Sequence, residues 1–304
     1  MNKIIFLKFI LIALMLSSCG KGVVDPSNNS YEPKIVIEGF LIANQKADKI
    51  KIARNFPIGT NLRQSSLIPA VNQTTVLIYD LENGTPYSLK FHEPEDKNFD
   101  NYYWYYDGND FIIKPGKRYK LEVSAVIDNK PLTAYAETTV PNPGCEITKV
   151  NYDTLRYREK DDNGNLKYFR VDFERSPGTS FYIMTAYALN HRPESYIYEN
   201  PYNDLDPEDV AEDADDFNIN WLQNAPLDAG ESYLEFFWYN FEFYGDYEMI
   251  LFAADENYRK FIQTYDEVQE PDGNFHEAKL TVEGDGIGVF GSMIADTVYV
   301  NVKH

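Results

Sequence analysis

The sequence predicts a mainly β protein, with an N-terminal immunoglobulin-like β-sandwich followed by a second mainly β domain that contains one embedded α-helix. Three observations carry this prediction. Short runs of alternating apolar and polar residues recur along most of the chain. Glycine, proline, asparagine and aspartate cluster between those runs, as they do at turns. Only one stretch shows strong apolar spacing of the helical kind, so the predicted helical content is small.

The first predicted domain covers residues 33–141. It opens with the strand-like runs KIVIEGFLI at 34–42 and KIKIA at 49–53, which are rich in β-branched residues. An Asn-Gly pair at 83–84 suits the positive φ angles of a tight hairpin turn, and a Pro-Gly pair at 115–116 marks another turn. Several short strands joined by such turns favour an antiparallel sandwich.

The segment PNPGC at 141–145 predicts a domain boundary, because two prolines and a glycine interrupt the strand pattern. The second domain is expected over residues 145–304. Its most aromatic run, YLEFFWYNFEFY at 233–244, is interpreted as one long strand that packs mainly into the core. In that interpretation Trp238 and Asn240 share one face of the strand.

One helix is predicted near residues 255–268. Apolar side chains recur there at helical spacing, and Asp255 stands where an N-cap residue is expected. Beyond it, Gly286, Gly288 and Gly291 form a G-x-G-x-x-G pattern. A dinucleotide fingerprint requires a helix after the glycines, whereas the thirteen residues that follow predict a strand. We therefore expect these glycines to permit close approach of backbones within a strand, and we expect no nucleotide or other cofactor.

The N-terminus predicts a lipid anchor. Residues 1–18 combine two lysines with a short apolar run and end in small residues before Cys19, an arrangement typical of a bacterial lipoprotein signal peptide. Acylation of Cys19 would attach the mature chain to a lipid bilayer. The polar, Gly- and Asn-containing residues 19–32 predict a flexible tether. The expected location is therefore the cell envelope, at the outer membrane, on either its periplasmic or its surface side.

Composition argues against several classes of function. The chain has 28 basic and 48 acidic residues, a net charge of −20, so nucleic-acid binding is not expected. Lipidation of Cys19 leaves Cys145 as the remaining cysteine, which is expected to be a buried side chain rather than a catalytic thiol. The four histidines are dispersed, and no catalytic signature for hydrolysis or phosphate binding occurs. We therefore predict a protein that is not an enzyme.

The run NYYWYYDG at 101–108 is the first candidate ligand-contact site. In a strand, Tyr103 and Tyr105 point to one face and Trp104 to the other. If one of the faces is exposed, its rings could stack on a sugar, on another small molecule or on the apolar surface of a partner. The alternative is a strand packed on both faces.

The acidic segment at 199–216 is a second, weaker candidate. Asp204, Asp206 and Glu208 alternate like the first ligands of a calcium loop. The sharp-turn glycine and the bidentate glutamate of such a loop are missing, so the alternative is a solvated loop without a metal.

Several segments together resemble one family of lipoproteins. The chain contains VIEG at 36–39, TTVPNP at 138–143, the helix-like NYRKFIQTYDEV at 257–268 and GIGVFG at 286–291. With the lipoprotein signal, these segments resemble the domain of unknown function 4249 family, found mainly in the Bacteroidota. The resemblance implies a role in the cell envelope beside TonB-dependent outer-membrane transporters, and it implies no catalytic residue. The acidic segment departs from the family pattern.

These observations together predict a membrane-tethered lipoprotein that acts as a non-enzymatic accessory or ligand-capture component of such a transporter. Two alternatives stay open at this stage. One is an envelope hydrolase that acts on glycans, which would need two suitably spaced carboxylates. The other is a purely structural surface protein.

Overall fold

The computed structural model describes residues 31–57, 60–61, 67–95, 101–189, 191–203, 205–206, 208–210, 219–224, 232–265 and 280–304. The chain divides into two units, of which the first is Met1–Glu32 with Phe56–Asn61 and lies almost wholly outside these residues. The predicted signal peptide, Cys19 and most of the predicted tether therefore fall outside the described residues. The second unit, Pro33–Asn55 with Leu62–His304, contains every strand described below.

The described residues are mainly β, as predicted, with one multi-turn helix, α1, at Glu256–Tyr265. The strands follow in chain order: β1 Ile35–Ile42, β2 Lys51–Arg54, β3 Thr74–Asp80, β4 Thr85–Ser88, β5 Lys90–His92, β6 Tyr103–Tyr105, β7 Arg118–Ile127, β8 Lys130–Thr139, β9 Glu146–Val150, β10 Thr154–Arg156, β11 Phe169–Glu174, β12 Phe181–Ala188, β13 Ile219–Asn224, β14 Tyr233–Phe236, β15 Gly245–Ala254, β16 Glu283–Gly284 and β17 Gly286–Lys303. No helix in the described residues is both long enough and apolar enough to cross a membrane.

A five-stranded antiparallel sheet has the order β16-β8-β7-β3-β4. The hairpin predicted at Asn83-Gly84 joins β3 to β4, and Gly84 has the positive φ that the turn requires. Strand β7 alternates buried and more accessible residues, since successive side chains point to opposite faces of a sheet. One face of this sheet therefore belongs to the core.

A second sheet has seven strands in the order β13-β12-β15-β17-β1-β2, and β10 also pairs with β17. Strands β1 and β2 precede the boundary predicted at 141–145, whereas the other five follow it. Strand β1 pairs in parallel with β17, so the last strand lies between β1 and β15. The two sheets contact each other through β17 and β8 and form a sandwich to which both halves of the sequence contribute. Shorter sheets, β14-β11-β9 and β5-β6, complete the described part.

The core lies between these sheets and is built from aliphatic and aromatic side chains of many strands. Ile37, Leu121 and Leu251 are examples that have almost no accessible surface. Burial of one such side chain stabilises the fold by about 1.5–3 kcal/mol relative to its exposure. A smaller apolar cluster joins the other face of the seven-stranded sheet to Tyr258 and Ile262 of α1. The helix is thus held to the sheet by one of its faces.

The helix begins as predicted, because the Oδ1 atom of Asp255 accepts a hydrogen bond of 2.9 Å from the backbone N of Tyr258. The Gly-rich segment that follows is part of β17, also as predicted. At Gly291, a Cβ would lie 3.0 Å from the Asp255 carboxylate and 3.4 Å from Tyr258, so a small residue lets α1 approach the strand. The glycines therefore have a packing role in this strand.

Candidate functional site

Strand β6 holds the aromatic residues predicted to contact a ligand. The face assignment is confirmed: Trp104 is 5% exposed, and its backbone exchanges hydrogen bonds with Ile50. Tyr103 and Tyr105 are half-buried on the opposite face, where the imidazole of His92 stacks on the Tyr103 ring at 4.5 Å. Because Trp104 is a core residue, it must be removed from the set of contact residues. The two tyrosines and His92 form a small accessible ring cluster.

The acidic candidate is only partly described, since Asp204 lies outside the described residues. The Oδ1 atom of Asp206 accepts hydrogen bonds from the backbone N atoms of Glu208 and Asp209, at 3.0 and 3.2 Å. Asp206 thus caps a short helical turn rather than pointing away from the chain as a free ligand. Within the described ranges, no group of three or more His, Cys, Asp or Glu residues is arranged to hold a metal ion.

Cys145 is buried, as predicted. Burial raises the pKa of its thiol to about 12, and the sulfur lies 3.7 Å from the carbonyl oxygen of Leu251. A thiol in this environment stays protonated at neutral pH and is a poor nucleophile.

A larger group of rings, which the sequence reasoning missed, lies where β14 ends. We define the aromatic surface as Tyr168, Tyr202, Phe237, Trp238 and Tyr239. Their ring centroids are separated by 5.0 to 6.3 Å from pair to pair, and the rings of Phe237 and Tyr239 are stacked. Tyr202 is 72% exposed and Tyr239 is 40% exposed. Such a cluster of accessible rings is uncommon at a solvent-facing surface without a binding role.

The interpretation of residues 233–244 as one strand was wrong. The strand stops at Phe236, and Trp238–Asn240 form a single 3-10 turn. The side-chain Oδ1 of Asn240 accepts a hydrogen bond of 2.8 Å from the backbone N of Phe237, which stabilises the turn. Asparagine competes for local backbone groups in this way and is disfavoured in strands, so Asn240 was the available signal. The turn places Trp238 and Tyr239 at the surface.

A buried asparagine joins the two segments of the aromatic surface. Asn200 has no accessible surface, and its Nδ2 donates to the carbonyl oxygens of Tyr239 and Phe241 at 3.2 and 3.3 Å. Its Oδ1 accepts a hydrogen bond of 3.1 Å from the backbone N of Tyr202. Because the Asn200 side chain is buried, each of its polar atoms that lost its partner would cost about 1–3 kcal/mol. Asn200 therefore fixes the backbone that carries the exposed rings of Tyr202 and Tyr239.

A narrow cleft opens beside Trp238. Its walls include the rings of Tyr157 and Trp238, whose centroids are 5.9 Å apart in an edge-to-face arrangement. The Tyr157 hydroxyl is buried and makes no hydrogen bond to the described residues, and burial raises its pKa to about 12. The guanidinium of Arg158 lies over the Trp238 ring, 5.1 Å from its centroid.

A second cleft, of about 220 Å³, lies at the start of α1 and contains Asp255, Glu256 and Arg259. The Oδ2 atom of Asp255 accepts hydrogen bonds from the hydroxyls of Thr138 and Ser292, at 2.5 and 3.5 Å. Burial raises the pKa of Asp255, whereas the hydrogen bond from Arg259 lowers the pKa of Glu256. Both Asp255 oxygens already accept hydrogen bonds from the protein, so the capping network accounts for the buried carboxylate.

The profile of the family described as Domain of unknown function (DUF4249) matches residues 23–295. Among solved structures, the chain matches the crystal structure of the chicken CNTN1 FN1-FN3 domains at 12% identity. That match covers 90% of this chain and 68% of the other with a TM-score of 0.25, a likeness too low to carry an argument. Comparison with curated proteins gave no match. Because the family profile covers most of the chain, the protein belongs to the DUF4249 family.

Proposed function

We propose that this protein is a non-enzymatic, ligand-capturing lipoprotein of the cell envelope and an accessory component of a TonB-dependent outer-membrane transporter. The observation that carries the capture role is the aromatic surface. Its Tyr202 and Tyr239 rings are exposed, and the buried Asn200 hydrogen-bonds the backbone of both residues. A rigid support lowers the conformational entropy that binding would otherwise cost.

The chemistry of this surface favours a ligand with flat, partly apolar faces. Tyrosine and tryptophan offer a large contact area with few rotatable bonds, and their polar atoms can hydrogen-bond at the rim. Sugar rings combine C–H faces with hydroxyl edges and suit such rings. We therefore expect a glycan as the ligand.

The envelope location rests on the signal-like residues 1–18 and on Cys19, and the transporter role rests on the implication of the family resemblance. A lipid anchor confines the aromatic surface to the membrane on which a transporter lies. Confinement of this kind raises the effective concentration of one partner for the other without any added contact.

A glycan hydrolase is less well supported by the same residues. Such an enzyme needs an acid and a second carboxylate that is free to act across the substrate. Asp255 has the raised pKa of an acid, but both of its oxygens serve the cap and the hydroxyl network. Its neighbour Glu256 is paired with Arg259 at 2.5 Å. We therefore propose binding rather than hydrolysis.

The proposal is tested by screening the full-length protein, solubilised in detergent, against an array of oligosaccharides and measuring the best binder by calorimetry. We expect Trp238→Ala and Tyr202→Ala each to weaken binding about 10-fold or more, because burial of a large apolar side chain contributes about 1.5–3 kcal/mol. Tyr265→Ala is the matched control, since Tyr265 is a 49% exposed tyrosine at the end of α1 and lines no part of the cleft beside Trp238.

Circular dichroism and thermal unfolding of each variant would show that the fold is retained. If no oligosaccharide binds, or if binding is insensitive to Trp238 and Tyr202, the aromatic surface is not a glycan site and the capture role fails.

A further inference from the structure

Basic side chains gather beside the aromatic surface in a chain that is otherwise strongly acidic. The cleft next to Trp238 is lined by Arg156, Arg158 and Lys167, and none of the described residues that line it is an aspartate or a glutamate. The whole chain has 48 acidic residues against 28 basic ones. A cleft whose charged lining residues are all basic therefore departs strongly from the average composition of the chain.

The charges of this cleft are only partly neutralised by the protein. Lys167 pairs with Glu159 at 2.6 Å, and Glu159 also accepts a hydrogen bond from the backbone N of Arg156. Within the described ranges, neither the Arg156 nor the Arg158 guanidinium forms an ion pair, and Arg158 instead lies over Trp238. Two arginines without an ion pair to the described residues thus line the cleft, Arg158 against the Trp238 ring and Arg156 with its charge partly balanced by the nearby Glu159.

The backbone holds Arg158 in an uncommon conformation. Its φ is +54°, in the left-handed region that residues other than glycine seldom adopt. On either side the chain is fixed by the bond from Tyr157 N to Lys303 O, at 2.7 Å, and by that from Glu159 N to Arg156 O, at 3.0 Å. Strained residues that are held in this way occur often where a side chain must be presented to a ligand.

We propose that the ligand is an acidic oligosaccharide, an inference that rests on the proposed capture of glycans. Its sugar rings stack on Trp238 and Tyr202 while its carboxylates or sulfates meet Arg156 and Arg158. Arginine suits this task because its planar guanidinium can bind a carboxylate with two parallel hydrogen bonds and can lie against a ring at the same time. The cleft offers about 10 Å³ of space, which is about the room one water needs, so the sugar lies across its mouth.

The experiment compares two probes with the same sugar backbone, the charged hexagalacturonate and its uncharged, fully methyl-esterified form, measured by calorimetry with the full-length protein in detergent. We expect the acid to bind at least 10-fold more tightly than the ester at low salt, and this preference to shrink as salt screens the charges. Arg158→Gln and Arg156→Gln should each reduce the ratio of the two affinities, because the loss of a guanidinium weakens the binding of the acid more than that of the ester. Trp238→Ala should weaken the binding of both probes.

Arg118→Gln is the matched control, because Arg118 is an exposed arginine paired with Glu137 in the five-stranded sheet, and it should leave both affinities unchanged. Equal binding of acid and ester, or a preference that survives both arginine substitutions, overturns the inference while leaving glycan capture intact. Absence of binding to both probes also overturns it, and the neutral oligosaccharides of the array then decide whether glycan capture fails as well.

A lipid surface would be the competing source of negative charge, since aromatic and basic side chains also favour membrane interfaces. The Cys19→Ser chain, which lacks the proposed anchor, is therefore mixed with vesicles of phosphatidylethanolamine and phosphatidylglycerol. We expect no Arg158-dependent sedimentation with these vesicles. Sedimentation that Arg158→Gln abolishes would overturn the inference in favour of a membrane-facing surface.

Discussion

At the scale of single residues, Asp255 shows how much a local pattern can reveal. Its role as a cap could be predicted, because the acceptor lies three residues before the donor in the sequence. Its bonds with Thr138 and Ser292 join residues 117 and 37 positions away, so no local pattern contains them. The same distinction separates Trp104 from Trp238. Strand alternation predicted which side Trp104 faces, whereas the position of the half-buried Trp238 depends on a turn in which the distant Asn200 bonds Tyr239 O.

Replacement of Asp255 by asparagine should change how stability depends on pH. Burial raises the pKa of Asp255 above its ordinary value of 3.8 in the folded state, so the folded chain binds this proton more tightly than the unfolded chain does. The contribution of protonated Asp255 to the free energy of unfolding is therefore fully present below about pH 4. It is lost as pH rises through the folded-state pKa. The side chain introduced by Asp255→Asn can still cap the helix. We therefore expect the wild-type protein and Asp255→Asn to have unfolding free energies within about 1 kcal/mol of each other at pH 4.

The measurement is urea unfolding of both proteins between pH 4 and pH 8. The difference in unfolding free energy should shift in favour of Asp255→Asn as pH rises. Asp153→Asn, at an exposed position, is the control that removes a carboxylate outside the capping network. A shift in the opposite direction would mean that the carboxylate is stabilised in its charged form by its hydroxyl partners.

At the scale of elements, β17 determines how the two halves of the sequence meet. Strand periodicity and turn residues are local, so most strands of the five-stranded sheet could be predicted with their hairpins. The parallel pairing of β1 with β17 joins residues about 250 positions apart and has no local signature. The domain boundary at 141–145 was predicted from prolines and glycine, and those features mark a break between strands without indicating which sheet each strand joins.

Gly288 is the position where this pairing is most sensitive to substitution. Its φ is +123°, and an added Cβ would overlap the carbonyl oxygen of Ile37 on β1. We expect Gly288→Ala to lower the free energy of unfolding by about 3 kcal/mol or more, because the backbone of the parallel pair must move apart. Urea denaturation followed by tryptophan fluorescence measures this change.

Gly164→Ala separates strain in φ from steric overlap. Gly164 has a φ of +86° and no atom within 4 Å of the position of a Cβ, so its substitution should cost only about 1–2 kcal/mol. Equal losses for the two variants would show that backbone conformation alone, rather than contact with β1, makes glycine necessary at 288.

At the scale of the whole molecule, the acidic charge and the proposed anchor act together. A net charge of −20 disfavours close association with anionic surfaces, so attachment would have to come from acyl chains rather than from basic patches. The basic cleft beside the aromatic surface then carries local positive charge on a molecule whose net charge repels anions. This local charge favours anionic ligands only over a short range, because salt screens charges beyond about 8–10 Å.

The proposed anchor predicts where the molecule is found and what it meets. We expect the wild-type protein to fractionate with membranes and to incorporate labelled fatty acid, and Cys19→Ser to abolish both, because acyl chains provide the attachment.

Affinity capture from detergent-solubilised membranes should recover a TonB-dependent transporter with the wild-type chain, and much less with Cys19→Ser at equal expression. Cys145→Ser is the matched control, since Cys145 is buried in the folded unit and should affect neither result. Membrane-bound Cys19→Ser protein would rule out the anchor, and capture without a transporter would count against the accessory role while leaving the anchor in place.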